Sequence, residues 1–350
     1  MRIAVTADVH LTPKEEHPER YNALQNILDQ SLAEGIEHLL IAGDLFEKDY
    51  RSYVGFEQLC RKYPAVQIHI IPGNHDPALS TAKIVGANIQ VYTTPTPIEI
   101  DSRTFLLVPY VENATMSEKL ADSVDALSGR QWILVGHGDY YGGTRQLNPL
   151  EPGTYMPLSR NNVDQFGPRA VFLGHIHKPT TIDNVHYMGS PCGLDISETG
   201  RRRFLVFDTA DGSSEARVIA TDVLYYDESF VIVPHDNEVP ELRHEAERRI
   251  ASWEINESER NRVRLRVSAR GFATDRSAIL KALKDSFDGF RFYKDDEPLI
   301  DELSSSSDHQ LSAIAERVSQ LVAECSWDSV GDEPTREDVI VQALSVIYSD

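Results

Sequence analysis

The chain has 350 residues, 41% of them apolar, and a formal net charge of −21. That length suits one large domain with one or two smaller units, and the apolar share supports a buried core, which excludes a disordered chain. Such acidity argues against a surface built for phosphate backbones, which attract basic surfaces, and suits a small-molecule or protein-facing enzyme equally well.

In chain order, the start MRIAVTADVH reads as a strand over residues 3–7 with a charge at Asp8, not as a secretory signal. Leu24, Ile27, Leu28 and Leu32 recur at helical spacing. Residues 38–42 form the next strand, residues 56–61 a short helix and residues 66–71 a third strand. The pattern then turns β-rich, with strands at 98–100, 105–108, 132–135, 170–173, 186–188 and 204–207. Strand–helix repeats followed by strand runs predict an α/β fold in which two sheets pack together with helices outside. A small α/β module starts near residue 229. In it a strand carries Val263, Leu265 and Val267 on one face and Arg262, Arg264 and Arg266 on the other. Residues 304–307 read as a linker before two amphipathic helices, giving expected segments of 1–228, 229–303 and 304–350. Leu311, Ile314, Val318, Leu321 and Val322 make the first helix stripe. After Gly331 and Pro334, Thr335 and Asp338 form a capping box for a second stripe of Val339, Ile340, Ala343, Leu344 and Ile347. No apolar run approaches membrane-spanning length. Cys60, Cys192 and Cys325 lack metal-type spacing and read as small core residues in a reducing cytoplasm.

Five short motifs follow strand-like runs: Asp8-Val9-His10, Gly43-Asp44, Gly73-Asn74-His75-Asp76, Gly136-His137-Gly138 and Gly174-His175-Ile176-His177. Ligands of open α/β sheets gather beyond the carboxyl ends of strands. Alternation along an extended chain puts Asp8 and His10 on one side, and likewise His175 and His177. Taken singly, Gly43-Asp44 is a turn signal and the His137 motif a structural turn; the ordered set of five is what carries the signal. Carboxylate, imidazole and amide oxygen suit manganese, iron or zinc. A carboxylate shared by two ions lets them clamp both oxygens of an in-line displacement. His17, His38, His69, His186, His235, His244 and His309 read as ordinary polar or core residues.

This ordered set resembles the calcineurin-like metallophosphoesterase superfamily over roughly residues 1–210. The resemblance implies a two-sheet β-sandwich core flanked by helices. It implies one divalent ion on Asp8, His10, Asp44 and His177 and a second on Asp44, Asn74, His137 and His175, with manganese the expected metal. His75 would be catalytic and not a ligand, protonating the leaving oxygen or stabilising the transition state; Asp76 would orient its neighbours. Gly43-Asp44-Leu45-Phe46, Leu173-Gly174-His175-Ile176-His177-Lys178-Pro179, and Tyr187-Met188-Gly189-Ser190-Pro191 followed by Glu198 and a basic strand are similar to the Mre11/SbcD DNA repair nucleases. That similarity implies a DNA exonuclease or endonuclease in end processing, a homodimer, a capping domain after residue 229, and C-terminal helices that bind a Rad50/SbcC-type ATPase. Arg262, Arg264, Arg266 and Arg270 would then contact DNA or form a solvated face paired with acids. Lys178 and residues 201–203 lie closer to the metal motifs and are the better phosphate contacts. Glu47 departs from the pattern, since the family has histidine there, and a carboxylate repels phosphate unless a cation neutralises it.

Two rivals share these residues. A small-molecule phosphodiesterase, of cyclic nucleotides for example, would use the same ions and fits the acidic charge, but has no need of a capping module. An interaction scaffold on this fold would have no reason to keep seven ligands.

Overall fold

A computed structural model describes the chain apart from residues 49, 51, 124–126, 128, 143–152, 307, 327–334 and 349–350, and the side chains at 295 and 309. Gly331, Pro334 and Ser307 therefore lie outside the described residues. The chain divides into two units: residues 1–194 with 201–222, and residues 195–200 with 223–350.

The first unit is mixed α/β and built on two six-stranded sheets. Arg2–Thr6, His38–Ala42, Gln67–Ile71 and Ile89–Val91 run parallel in the first sheet, and Arg203–Asp208 and Ser214–Val218 close one edge antiparallel. In the second sheet Arg103–Val108, Trp132–His137, Ala170–Gly174 and Val185–Tyr187 are parallel, flanked by antiparallel Thr96–Ile100 and Thr180–Ile182. The central strands are apolar on both faces because both faces are covered. One face of each meets the other sheet, where Ile3, Val5, Leu40, Phe105, Val135 and Phe172 share a core. Phe207 sits edge-on to Phe105 and Phe172 at centroid distances of 6.3 and 5.4 Å. Each such large apolar side chain contributes about 1.5–3 kcal/mol when fully buried.

Helices Pro18–Ala33 and Val54–Cys60 cover the outer face of the first sheet, and Met116–Ala121 and Arg160–Phe166 that of the second. Proline opens the first helix, and Leu24, Ile27 and Leu28 face inward as expected. Leu32 does not: it is 52% exposed. Ser31 is buried in its place and returns its hydroxyl to the Ile27 carbonyl at 2.8 Å. The capping boxes of the other two, Thr115 with Glu118 and Ser159 with Asn162, start helices too short for periodicity to reveal.

A pH effect arises at the end of this sandwich. His38 Nδ1 lies 3.0 Å from His69 Nε2, and His69 Nδ1 lies 2.9 Å from the Tyr92 hydroxyl. Burial, then the neighbouring His38, holds His69 down at about 4. Above pH 6.5 the ring is neutral folded or unfolded. As pH falls from there toward 4, the unfolded chain takes a proton that folded His69 refuses, so stability is lost across that window. The expected loss from this ring is about 2 kcal/mol, allowing for its partial exposure. Denaturant melts of wild type and His69→Gln at pH 7, 5.5 and 4.5 check it: the variant should show the shallower pH slope.

The second unit has its own core around a parallel sheet. Val263–Ala273 lies between Leu224–Ile232 on one side and Arg291–Phe292 and Leu303–Ser305 on the other. Its inward residues alternate along all eleven positions and pack under helices Glu238–Ser252 and Arg276–Ser286. Ser304 and Ser305, read as linker, pair instead with Phe272 and Ala273. The arginine face is largely paired with acids and carbonyls of this same unit. Arg266 forks onto Asp227, Arg270 reaches Asp338 at 2.9 Å, and Arg264 donates to the Val263 carbonyl at 2.9 Å. Helices His309–Glu324 and Arg336–Ile347 pack on each other, and the second also on this sheet, where Phe272 stacks on Tyr348 at 4.4 Å. Ile314, Leu321 and Val346 stay exposed. Cys60 and Cys192 are buried as expected, whereas Cys325 is exposed, just beyond the helix His309–Glu324. No helix among the described residues is long and apolar enough to cross a membrane.

Candidate metal centre

The five motifs all leave the carboxyl ends of parallel strands, which point the same way within each sheet. The first two loops run side by side: Asp8 N–H donates to the Gly43 carbonyl at 3.1 Å, and His10 N–H to the Asp44 carbonyl at 3.0 Å. The alternation argument for Asp8 and His10 does not hold. The strand ends at Thr6, and Asp8, His10 and Asp44 adopt left-handed backbone with φ of 52, 50 and 51°; His175 has φ 101°. Such conformations cost on the order of 1–3 kcal/mol each and persist where surroundings enforce them. Here they turn ligand-type side chains inward from loops.

All seven expected ligands and His75 converge. His10 Nε2 lies 3.2 Å from His177 Nε2, and donor atoms of Asp8, His10 and His177 fall within 4.8 Å of one another. His137 Nε2 lies 2.8 Å from Asn74 Oδ1, and His175 Nδ1 lies 3.2 Å from that same oxygen. Asp44 stands between the two groups, its Oδ2 at 3.4 Å from His137 Nε2 and 3.7 Å from His10 Nε2. Two imidazole nitrogens facing at 3.2 Å share at most one proton, and Asp8 Oδ2 is fully buried without a hydrogen-bond partner. A cation satisfies both, and an oxygen–nitrogen donor set fits a divalent transition ion. The residues present therefore fit the expected metals.

Neighbours fix this arrangement. His175 N–H donates to Asp8 Oδ1 at 2.8 Å, and His137 Nδ1 lies 2.9 Å from the Ala42 carbonyl, which sets the nitrogen it turns inward. Asp76 accepts from Gly73 N–H at 2.7 Å and Phe46 N–H at 3.1 Å, tying the third motif's loop to the second's. Burial, then Asp44's charge, pushes Asp76 up to about 6. Burial also raises Asp8. It works against ionised Asp44 too, but the facing His137, then His10 and His75, pull that carboxyl well below its usual range. His137 rises to about 9, where burial alone would lower it, because Asp44 faces it.

Glu47 is where the structure changes the reading most. Its Oε1 lies 2.6 Å from His75 Nδ1, its Oε2 3.4 Å from His10 Nδ1 and 3.6 Å from Arg20 Nη1. Against its own burial, His10 and His75 hold it well below the usual carboxylate range. The carboxylate is thus engaged by two site histidines with Arg20 close by, not presented bare to phosphate. Two further residues, Arg20 and Asp139, were missed, and a third was given another role. Arg20 reaches the His10 carbonyl. Buried Asp139 sits 3.8 Å behind His175 Nε2, two positions after His137. Arg202, expected as a phosphate contact, is buried, its guanidinium holding the His177 carbonyl and, at 2.9 Å, the Ser190 carbonyl. Lys178 does remain exposed beside His177.

Gly73 offers a sharp test, because a Cβ there would lie 2.1 Å from Asp44 Oδ1. Gly73→Ala must displace the shared carboxylate, and a misplacement near 1 Å costs on the order of 10²-fold in turnover. Metal titrations of nitrophenyl phosphodiester hydrolysis should show that loss together with weaker metal binding; an unchanged titration would mean the loop yields without moving Asp44.

The family model for calcineurin-like phosphoesterases matches residues 1–179, just over half of the chain. Exonuclease subunit 1 of Enterobacteria phage T4 is 26% identical over 240 residues, 61% of this chain and 67% of that protein. The uncharacterized metallophosphoesterase YhaO of Bacillus subtilis (strain 168) is 23% identical over 212 residues, 55% of this chain and only half, 50%, of that protein. Among solved structures, TT1561 of Thermus thermophilus aligns at TM-score 0.42 and 12% identity over 62% of this chain and 98% of that one. With the family model spanning all but the last strands of the two-sheet unit that carries the five motifs, this chain belongs to the calcineurin-like phosphoesterase family.

Proposed function

We propose that the chain is a DNA nuclease, a metal-dependent phosphodiesterase that hydrolyses DNA phosphodiester bonds in end processing. The observation that carries the reading is the pair of donor groups sharing Asp44, with His75 set beside them by Glu47. Asp8, His10, Asp44 and His177 would hold one ion, and Asp44, Asn74, His137 and His175 the other, with manganese the first metal to try. Bound there, such ions supply Lewis-acid stabilisation of phosphoryl oxygens. The chain's own residues do the rest. Glu47 holds Nδ1 of His75 at 2.6 Å, and Nε2 would give a proton to the departing ester oxygen. The Asp44–His75 backbone bond of 2.9 Å fixes that ring's origin relative to the shared carboxylate. DNA as substrate is supported by the likeness to a phage protein named an exonuclease subunit and by the motif similarity to the Mre11/SbcD nucleases.

One observation favours a second reading. The strand arginines are paired within their own unit, so the acidic chain gains no basic face from them, which suits a small phosphodiester substrate. Purified full-length protein with manganese, and with chelator as control, decides between them on linear duplex, single-stranded and hairpin DNA and on bis-nitrophenyl phosphate. Cleavage of the ester with no DNA product would overturn the nuclease reading.

As partner we propose a Rad50/SbcC-type ATPase, bound by a homodimer through the two C-terminal helices, and supplying the basic DNA surface. The exposed Ile314 and Leu321 support a docking face. Deleting the helices is a poor test, because Leu344 and Tyr348 cover the sheet at Gly271 and Phe272. Ile314→Asp with Leu321→Asp leaves that packing alone. The double variant should fail to co-purify with the ATPase while still hydrolysing the nitrophenyl ester; retained binding places the interface elsewhere.

A further inference from the structure

Beside His75 lies a cleft of about 180 Å³. One wall is Glu47, Lys48, Tyr50 and Tyr53; the other is the turn that carries Asn74 and His75, with Lys83 at its side. Tyr50 and Tyr53 rest on Phe46 at centroid distances of 6.0 and 4.8 Å, and Phe46 in turn packs edge-on against Phe56 at 5.7 Å. The two tyrosines are thus supported by the core yet only half-buried. Lys48 and Lys83 are both exposed, and Lys83 Nζ donates to the Ala78 carbonyl at 2.6 Å.

We propose that this cleft is a nucleobase subsite: it takes the base of the nucleotide on the leaving side of the scissile bond, against Tyr50 and Tyr53, with Lys48 and Lys83 facing the next phosphate. The proposal rests on the nuclease reading above and adds to it which part of the substrate is gripped, and in what state. Position argues for it first. His75 borders both the donor groups and the cleft, with Glu47 holding its Nδ1 at 2.6 Å, and the ester oxygen it serves would meet Nε2. The group carried by that oxygen then extends past His75 into the cleft. Size argues next. The volume is below the roughly 300–1,000 Å³ of drug-sized pockets, so one ring system fits and a base pair does not. The nucleotide must therefore be unpaired on that side, as in a single strand or a frayed end. Chemistry is the third argument. Aromatic faces accept any base, because every base has a π-face, and two lysines are positive charge placed next to the site of a chain of net charge −21.

The test uses full-length protein with manganese and an end-labelled single-stranded oligonucleotide in which one abasic residue is moved stepwise along the sequence, with cleavage mapped at every bond. Base–aromatic stacking is strong enough that kcat/KM should fall about tenfold at the bond whose leaving-side neighbour is abasic. Bonds further away should change less than about twofold. In Tyr53→Ala the intact oligonucleotide should drop to the abasic level and lose its dependence on position, and Tyr53→Phe should restore that dependence. Lys48→Ala should raise KM, flatten its salt dependence and leave kcat in place. Cleavage that ignores the abasic residue, or a Tyr53→Ala protein that keeps the tenfold step, overturns the subsite while the nuclease reading stands. Hydrolysis of the nitrophenyl ester with no oligonucleotide cleaved overturns both.

Discussion

Asp44→Ala is expected to abolish metal-dependent hydrolysis and to lower bound metal at both donor groups, the largest effect of any single change in this chain. In the proposed ligand set each of the other residues belongs to one group. Asp44 belongs to two, with Oδ2 3.4 Å from His137 Nε2 and 3.7 Å from His10 Nε2. Its Oδ1 also accepts from His75 N–H at 2.9 Å, so its loss frees the loop that carries His75. Removing an outer hydrogen-bond partner of a metal ligand typically costs about 10–100-fold. A carboxylate shared by both groups should cost well beyond that. The measurement is elemental metal analysis beside turnover of bis-nitrophenyl phosphate. His177→Ala and Asn74→Ala should each lose about one ion, and Asp44→Ala more than either. Wild-type turnover in Asp44→Ala would falsify the shared-ligand assignment. The folded fraction should be checked in parallel, since Asp44 is fully buried among imidazoles and its removal leaves them without their carboxylate partner.

What the sequence made legible follows from the range of the forces involved. Residues 39–42 and 170–173 are continuous apolar runs closed by glycine, and the strands His38–Ala42 and Ala170–Gly174 appear there because burial on two faces demands such runs. Ile89–Val91 and Thr180–Ile182 were not legible: each has three residues and becomes a strand only by pairing with a neighbour already in place. The site shows the same division. The residue types were readable from five motifs, and all of them converge. The means of convergence was not, because the chain at Asp8 and His10 leaves extended geometry for left-handed backbone that no periodicity signals. Glu47 was noticed as a departure from a pattern, but its partners His10, His75 and Arg20 come from three other segments. Arg270 was read correctly as lying on a basic face, yet its acids, Glu337 and Asp338, stand far along the chain on the last helix. Charge alternation is local; charge pairing is tertiary.

Those partners set up the second large effect. His75→Ala should lower kcat on the order of 10²–10⁴-fold, the usual worth of a positioned general acid or base, while both ions remain bound. Geometry leaves one competing role open to measurement, since His75 can reach a common point with His10 and Asp44 within 4.8 Å. Metal analysis separates the two: a ligand takes metal away with it, a proton donor does not. Glu47 then sharpens the case. It holds His75 Nδ1 at 2.6 Å and so fixes the ring's tautomer and direction. Glu47→Gln keeps the shape and one acceptor but loses the charge behind His75, so it should lose less than His75→Ala, on the order of 10–100-fold as for other groups that orient an active side chain. If Glu47 works through His75, the double variant should be no slower than His75→Ala alone, because residues acting as one unit are not additive. Multiplied losses would mean that Glu47 serves the reaction chiefly through its other neighbours, His10 at 3.4 Å and Arg20 at 3.6 Å. Glu47→His, the residue the resembled nucleases carry there, places an imidazole where a carboxylate now meets two histidines and an arginine. It should therefore loosen His75 before it gains any hold on phosphate, and product mapping on end-labelled duplex should show slower cleavage at all positions, not a selective gain at the ends.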